Sequence, residues 1–337
     1  MARLGIDIGG ANLKLADGEG HAETAPFPLW QQKDELAGAV RRLIGGMPAH
    51  VDLAVTMTGE LADCFATKAE GVESIVRAVE EAADGRGISV YTTMGTFVLP
   101  EEAVERPMKV ASANWHALAT FTGRYVPDGP GLAIDVGSTT TDLIPLIDGC
   151  AANVGQTDPE RLASGELVYT GVRRTPVCAI TASGPWREHR QVPLAAELFA
   201  TSWDVYLTLG DMVEGPAHAE TADGRPATRE AARSRLARMV CADESMFDAD
   251  DARQFALAVE KAQLGKLGVA AQQVLRRMPA APRRIVISGA GEFLARKLIA
   301  KLRLDCGVVS LSEQLGEQIS HAACAHAVAV LAAEADQ

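Results

Sequence analysis

The chain has 337 residues, 32 basic and 44 acidic, for a formal net charge of −12, and 47% of it is hydrophobic. That length gives a prior of two domains, and that composition excludes a disordered or fibrous chain. With no dense Lys/Arg block, an acidic chain is a poor nucleic-acid or anionic-membrane binder, because neutralising phosphates needs clustered cations.

Apolar runs at 3–8 and 11–16, joined by Gly9-Gly10, predict a β-hairpin at the start of the chain. A helix follows over 34–44, with Leu36, Ala39, Val40 and Leu43 at helical spacing. Residues 51–56 form a buried-strand candidate, 68–83 a helix closed by Asp84-Gly85, and 89–93 another short strand. An apolar helix over 113–122 ends at Gly123. The turn cluster VPDGPG at 126–131 then precedes strands at 132–135 and 142–146, which flank Gly137. The middle reads as irregular, with a polar, Pro/Gly-rich loop at 215–228 and a helix at 229–240. A longer helix over 251–278 has an acidic first turn and Arg276-Arg277 in its last, which suits the helix dipole; Pro279 and Pro282 stop it. A strand at 284–288 leads through Gly289-Ala290-Gly291 into a helix at 292–302, then a strand at 307–311 and an Ala-rich helix at 319–333. Strands and helices alternating in this way indicate an α/β fold.

Several readings are closed off. The longest charge-free run, 318–333, is too short and too polar for a membrane span. The N-terminus has no apolar signal core, so a cytoplasmic protein is expected. Six cysteines without a C-x-x-C pair argue against a disulfide scaffold or zinc knuckle. His321 and His326 are five apart and would not share a helix face, so core or edge positions are expected for both.

The most informative feature is an internal echo. LGIDIGGANLKL at Leu4–Leu15 and LAIDVGSTTTDL at Leu132–Leu143 align Asp7 with Asp135, Gly9 with Gly137 and Leu15 with Leu143. Each glycine lets backbone N–H groups approach an oxyanion. Each aspartate sits at a strand end facing that anion, and two carboxylates aimed at a phosphate call for a divalent cation between them, Mg²⁺ by preference. Gly10, Asn12 and Lys14 add donors to the first loop, and Ser138, Thr139, Thr140 and Thr141 to the second. A third glycine turn, SGAGEF with Gly289 and Gly291, opens a helix N-terminus, another anion or nucleotide contact.

The trio LGIDIGGANLK, LAIDVGSTTTDL and VISGAGEFL resembles the two phosphate loops and the adenosine loop of the actin-like ATPase, sugar kinase and Hsp70 superfamily. The resemblance implies two actin-like (ribonuclease H-like) domains enclosing a phosphate-binding cleft. The first is expected over 1–112, with the C-terminal helix of about 318–335 packing back on it. The second is expected over 113–317, with an inserted region at about 211–245. ASANWHALA, YTGVRRTPVCAI and ETADGR further resemble the hydantoinase/oxoprolinase-related branch and, within it, the methanofuran-biosynthesis synthase family. The reaction this implies joins 5-(aminomethyl)-3-furanmethanol diphosphate to the phenol oxygen of γ-glutamyltyramine or a related phenol, releasing pyrophosphate. The loops alone fit equally an ATP-using kinase or amidohydrolase of the same fold, or a non-catalytic nucleotide binder; NWHA, VRRTP and TADGR favour the transferase.

On this reading Asp7 and Asp135 are the catalytic, metal-facing carboxylates, with Asp142 a further metal ligand. Gly9, Gly10, Asn12, Lys14 and 137–141 hold the diphosphate. The phenol needs a base, which the sequence does not name. Arg173 and Arg174 either pair with a substrate carboxylate or phosphate or stand solvated in a loop. Trp115, between Asn114 and His116, is either a stacking surface for furan or phenol or a core tryptophan behind a helix cap. Glu166 and Asp223 are candidate acid/base or metal-linked groups.

Overall fold

The computed structural model describes residues 3–48 and 50–335. The chain opens with an antiparallel meander, β1 (Arg3–Ile8), β2 (Asn12–Ala16) and β3 (Ala22–Pro26), followed by α1 (Leu29–Gln32) and α2 (Leu36–Ile44). β4 (Asp52–Met57) lies parallel to β1; α3 (Lys68–Ala82), β5 (Ile88–Tyr91), β6 (Phe97–Val98) and α4 (Pro100–Glu105) complete this lobe. The sheet order is β3-β2-β1-β4-β5-β6. β1 and β4 are buried at every position after the first, as central strands covered on both faces must be.

The second lobe repeats this pattern. After α5 (Asn114–Thr122) come the hairpin β7 (Pro130–Val136) and β8 (Thr141–Ile147), then β9 (Cys150–Ala151), α6 (Asp158–Ser164) and β10 (Leu167–Val168). A short α7 (Val177–Ile180), the ribbon β11 (Ser183–Trp186) and β12 (His189–Pro193), and α8 (Ser202–Leu209) lead to α9 (Arg229–Arg238) and the long α10 (Ala249–Arg277). β13 (Arg284–Ser288), α11 (Glu292–Leu302), β14 (Gly307–Ser310), α12 (Leu311–Leu315), α13 (Glu317–His321) and α14 (Ala323–Ala335) finish the chain. The sheet order is β10-β8-β7-β13-β14, so β2-β1-β4-β5 and β8-β7-β13-β14 share one plan: a hairpin, then two strands parallel to its first arm. Two such lobes about a cleft make the actin-like α/β architecture.

The stretch read as irregular holds α6 and α8, each started by a capping box, Thr157 with Glu160 and Thr201 with Asp204. The C-terminal helix is not continuous: Ala322 (φ −109°, ψ 27°) breaks it into α13 and α14. Among the described residues no helix is long and apolar enough to cross a membrane.

The lobes are joined through α5 and α14, which pack together between the sheets, α14 against β1 and β4 and α5 against β8. Ala54, Ala133, Ile144 and Val286 of the two sheets share one core with Leu118, Phe121, Ala327 and Val328 of these helices. The approach of α14 to β1 is close enough to require glycine. A Cβ on Gly5 would lie 1.9 Å from the Ala325 carbonyl oxygen and 2.8 Å from the Ala329 nitrogen. Gly5→Ala is therefore expected to lower stability by about 2 kcal/mol or more through overpacking. Urea denaturation reads this directly; an unchanged midpoint would mean that α14 does not sit there.

Candidate active site between the lobes

β1 and β7 deliver Asp7 and Asp135 to the same place because their hairpins are built alike. In both, the glycine after the strand donates its N–H across the turn, Gly9 to the Asn12 carbonyl at 3.0 Å and Gly137 to the Thr140 carbonyl at 2.9 Å. Those two N–H groups close the hairpins, leaving Gly10, Ala11, Ser138 and Thr139 at the turn tips to meet an anion. The turns face each other across a cleft of about 500 Å³ lined by Asp7, Gly9, Gly10, Asn12, Lys14, Asn114, Trp115, Asp135, Gly137, Ser138, Thr139, Thr140, Asp142 and Arg174. These predicted residues the fold does bring together.

The registers explain the charge pattern. Asp7 stands opposite Lys14 on β2, and Asp135 stands opposite Asp142 at the equivalent place on β8. Lys14 Nζ lies 3.6 Å from Asp7 Oδ2, whereas Asp142 is held by Arg161 at 2.6 Å. On the other side of each hairpin the partner is a hydroxyl, Thr56 beside Asp7 and Ser288 beside Asp135. Ser288 donates to Asp135 Oδ1 at 2.6 Å. In the first lobe both Asp7 Oδ1 and Thr56 Oγ1 are buried and unpartnered.

Burial raises the Asp7 pKa, with Lys14 and the Asn114 side chain working against the rise. Burial and then the Asp142 charge push Asp135 up to about 6. Lys14 is held above its ordinary value, since Asp7 and Asp135 outweigh the burial that would discharge it. Cys324, near the start of α14, also lines the cleft, its thiol raised by burial and by the same carboxylates.

Asp142 is not a free ligand, because Arg161 takes its Oδ1. That arginine, on α6, is buried, stacks 4.0 Å from the Trp115 ring centroid and also donates to the Glu166 carbonyl. Trp115 is thus both a core residue and a cleft wall, with its outer face turned to a cation. Nothing in a single sequence pairs an arginine at 161 with a tryptophan at 115. The same holds for the bridge across the lobes, where Lys68 Nζ meets Asp158 Oδ2 at 2.6 Å. Ser112 Oγ lies 2.7 Å from both Asp158 Oδ2 and Oε1 of the buried Glu60, its one hydroxyl hydrogen shared between them.

Seven other expected contacts are not in the cleft. Thr141 is buried and donates to the Thr170 carbonyl. A Cβ on Gly289 would sit 2.5 Å from the Val136 oxygen, and one on Gly291 2.4 Å from Val136 Cγ1, so both glycines serve packing of α11 against β7. The carboxylate of Glu292, the first residue of α11, is taken by Ser310, Ser312 and Ser320. His116 turns to the Tyr91 hydroxyl at 3.0 Å, and burial followed by the Arg161 charge lowers it to about 4, leaving it neutral. Glu166 is buried and accepts from the Val154 and Gly155 N–H groups and from Arg277. Asp223 pairs with Arg225 and Arg235, tying the loop to α9. Arg173 lies over Trp203 at 4.7 Å. Its backbone and that of its neighbours matter more: the N–H groups of Val172, Arg173 and Arg174 bond the carbonyls of Gly137 and Ser138, bracing the second turn. Arg174 stays at the cleft, over Trp30 of the opposite lobe at 4.7 Å.

The repeated hairpins and their shared cleft define a class of protein: the chain belongs to the hydantoinase/oxoprolinase family, whose signature matches residues 53–335. Its place within that family is the methanofuran-biosynthesis synthases. The (4-{4-[2-(γ-L-glutamylamino)ethyl]phenoxymethyl}furan-2-yl)methanamine synthase of Methanocaldococcus jannaschii is 34% identical over 332 residues, covering 97% of this chain and 96% of that protein. The synthase of the same name from Methanococcus vannielii is 29% identical over 202 residues, covering 59% of this chain and 89% of that protein. Among solved structures, a chain of the PilM–PilN type IV pilus biogenesis complex aligns with a TM-score of 0.48 at 12% identity, covering 98% of this chain and 99% of that one. The chain is accordingly an enzyme, a transferase.

Two outcomes follow from the charges. Arg161→Ala leaves Asp142 without its partner and Trp115 without its stacked cation, and is expected to lose about 3 kcal/mol in chemical denaturation; a loss no larger than that of a surface arginine would contradict the arrangement. Asp135 has a folded pKa above its unfolded value, so its contribution is fully favourable below about pH 4 and lost as pH rises through about 6. In metal-free buffer above that pH, Asp135→Asn should melt higher than the wild type, and below pH 4 the difference should vanish. Equal melting temperatures across the range would exclude a buried charge at Asp135.

Proposed function

We propose that the chain condenses 5-(aminomethyl)-3-furanmethanol diphosphate with the phenol of γ-glutamyltyramine or a close analogue, making the aryl ether and releasing pyrophosphate. The observation that carries this reading is the meeting of two anion-ready hairpin turns and their carboxylates on one cleft, in a chain matched end to end by a synthase of that product.

In the exchange, the bond between the exocyclic CH₂ and the diphosphate oxygen breaks and its electron pair leaves with pyrophosphate. The phenol oxygen bonds to that carbon and gives up its proton. The furan oxygen shares the positive charge that develops on the CH₂, so the barrier lies mainly in the charge gathering on the leaving group. Turn N–H groups from both lobes and the Lys14 ammonium, which share this cleft, would oppose that charge.

The donor set fits a hydrated divalent cation. Asp7 Oδ1 is buried without a partner, and Asp135 stands against like charge. Two carboxylates suit Mg²⁺, which is usually held by one or two of them together with water and phosphate. Asp7 and Asp135 would hold it, and it would supply positive charge for the departing pyrophosphate.

Incubation with the furan diphosphate and γ-glutamyltyramine should yield pyrophosphate and the ether, scored by mass spectrometry. Asp7→Asn and Asp135→Asn should each reduce turnover by about 100-fold or more while circular dichroism stays unchanged. Wild-type rates in both variants, or ATP turnover in place of ether, would overturn the proposal.

A further inference from the structure

Single exposed apolar side chains are ordinary on a protein surface. Four here are not single. Trp30 (36% exposed), Leu61 (58%), Leu162 (47%) and Tyr169 (63%) all line the catalytic cleft. Trp30 lies in α1 and Leu61 in the turn after β4, both in the first lobe; Leu162 lies in α6 and Tyr169 just after β10, in the second. The same cleft holds Asp7, Lys14 and Asp135, all less exposed than these four, so its deeper, polar end is charged and its outer rim carries apolar surface, with Asp63 and Asp158 beside it. Arg174 borders that rim with its guanidinium over Trp30, and among the described residues it has no carboxylate partner.

A diphosphate belongs to the polar end, where N–H groups and a cation meet it. The rim offers what a diphosphate cannot use: apolar surface from both lobes, an aromatic face, and one exposed cation held flat against that face. A ring with an anionic tail matches all three, because the ring covers the apolar side chains and the tail pairs with the arginine. We infer that Trp30, Leu61, Leu162 and Tyr169 form the acceptor subsite, receiving the phenol ring with its hydroxyl toward the hairpin turns, and that Arg174 selects acceptors bearing a carboxylate tail. This rests on the reaction proposed above and adds which residues choose the second substrate. The subsite spans both lobes.

Steady-state kinetics with the furan diphosphate as donor, and γ-glutamyltyramine or tyramine as acceptor, tests the assignment. Arg174→Gln should raise KM for γ-glutamyltyramine about tenfold and leave that for tyramine within about twofold. Leu162→Ser and Tyr169→Ser, at exposed positions where folding is not at stake, should raise KM for both acceptors. None of the three should move the donor KM. Donor and acceptor KM rising together, or acceptor KM unmoved, overturns the subsite. Calorimetric titration of γ-glutamyltyramine into wild type and variants, with inorganic pyrophosphate present, separates this inference from the reaction itself. Binding weakened by the variants without any ether formation keeps the subsite and rejects the reaction. Ether formation with unchanged acceptor KM and binding does the reverse, and neither binding nor ether rejects both.

Discussion

Two carboxylates raised above their ordinary pKa and confined to one cleft between lobes are the constraint around which this molecule is arranged. Like charges kept out of water repel, and burial disfavours each of them separately. The fold answers differently at the two sites. In the first lobe a lysine stands across the hairpin from the aspartate. In the second, that position is another aspartate, paired with a buried arginine that lies on a tryptophan face. The result is a cleft floor that keeps negative character and is less stable for it above the Asp135 pKa.

The surrounding structure serves that site by bracing rather than by contact. The VRRTP segment touches the second turn with its backbone, and a Cβ at Gly171 would lie 2.5 Å from the Gly137 oxygen. The third glycine turn works in the same way, pressing α11 onto the strand that carries Asp135. Glycines that resemble ligand contacts in a motif here bring backbone against backbone, which fixes the turns that meet the ligand. On the reaction proposed above, the charged part of the cleft serves departure of a whole pyrophosphate and its apolar rim receives the phenol.

Much of this was legible without coordinates. The echo of LGIDIGGANLKL in LAIDVGSTTTDL determined two like hairpins with Asp7 and Asp135 in matched positions, because alternating apolar residues and a turn glycine are local properties. The central strands β1, β2, β4, β5, β7, β8, β13 and β14 and the long helices follow from periodicity, whereas β3, β6, β9, β10, β11 and β12 do not, and the C-terminal helix is broken at Ala322. α6 and α8 went unread although Thr157–Glu160 and Thr201–Asp204 are visible capping boxes, since a turn or two of helix gives little periodicity to detect.

What tertiary structure alone decided was the use of each polar residue. Glu166, Asp223, His116 and Thr141 have the chemistry of site residues, yet each is occupied by a partner distant in sequence or turned into the core. Arg161, Asp158 and Leu162 carry no motif and reach the cleft only because α6 packs beside it. Local sequence specifies a turn and the charge it bears. Which charge remains free is set by long-range packing, and pairing at a distance leaves no periodic trace in one chain.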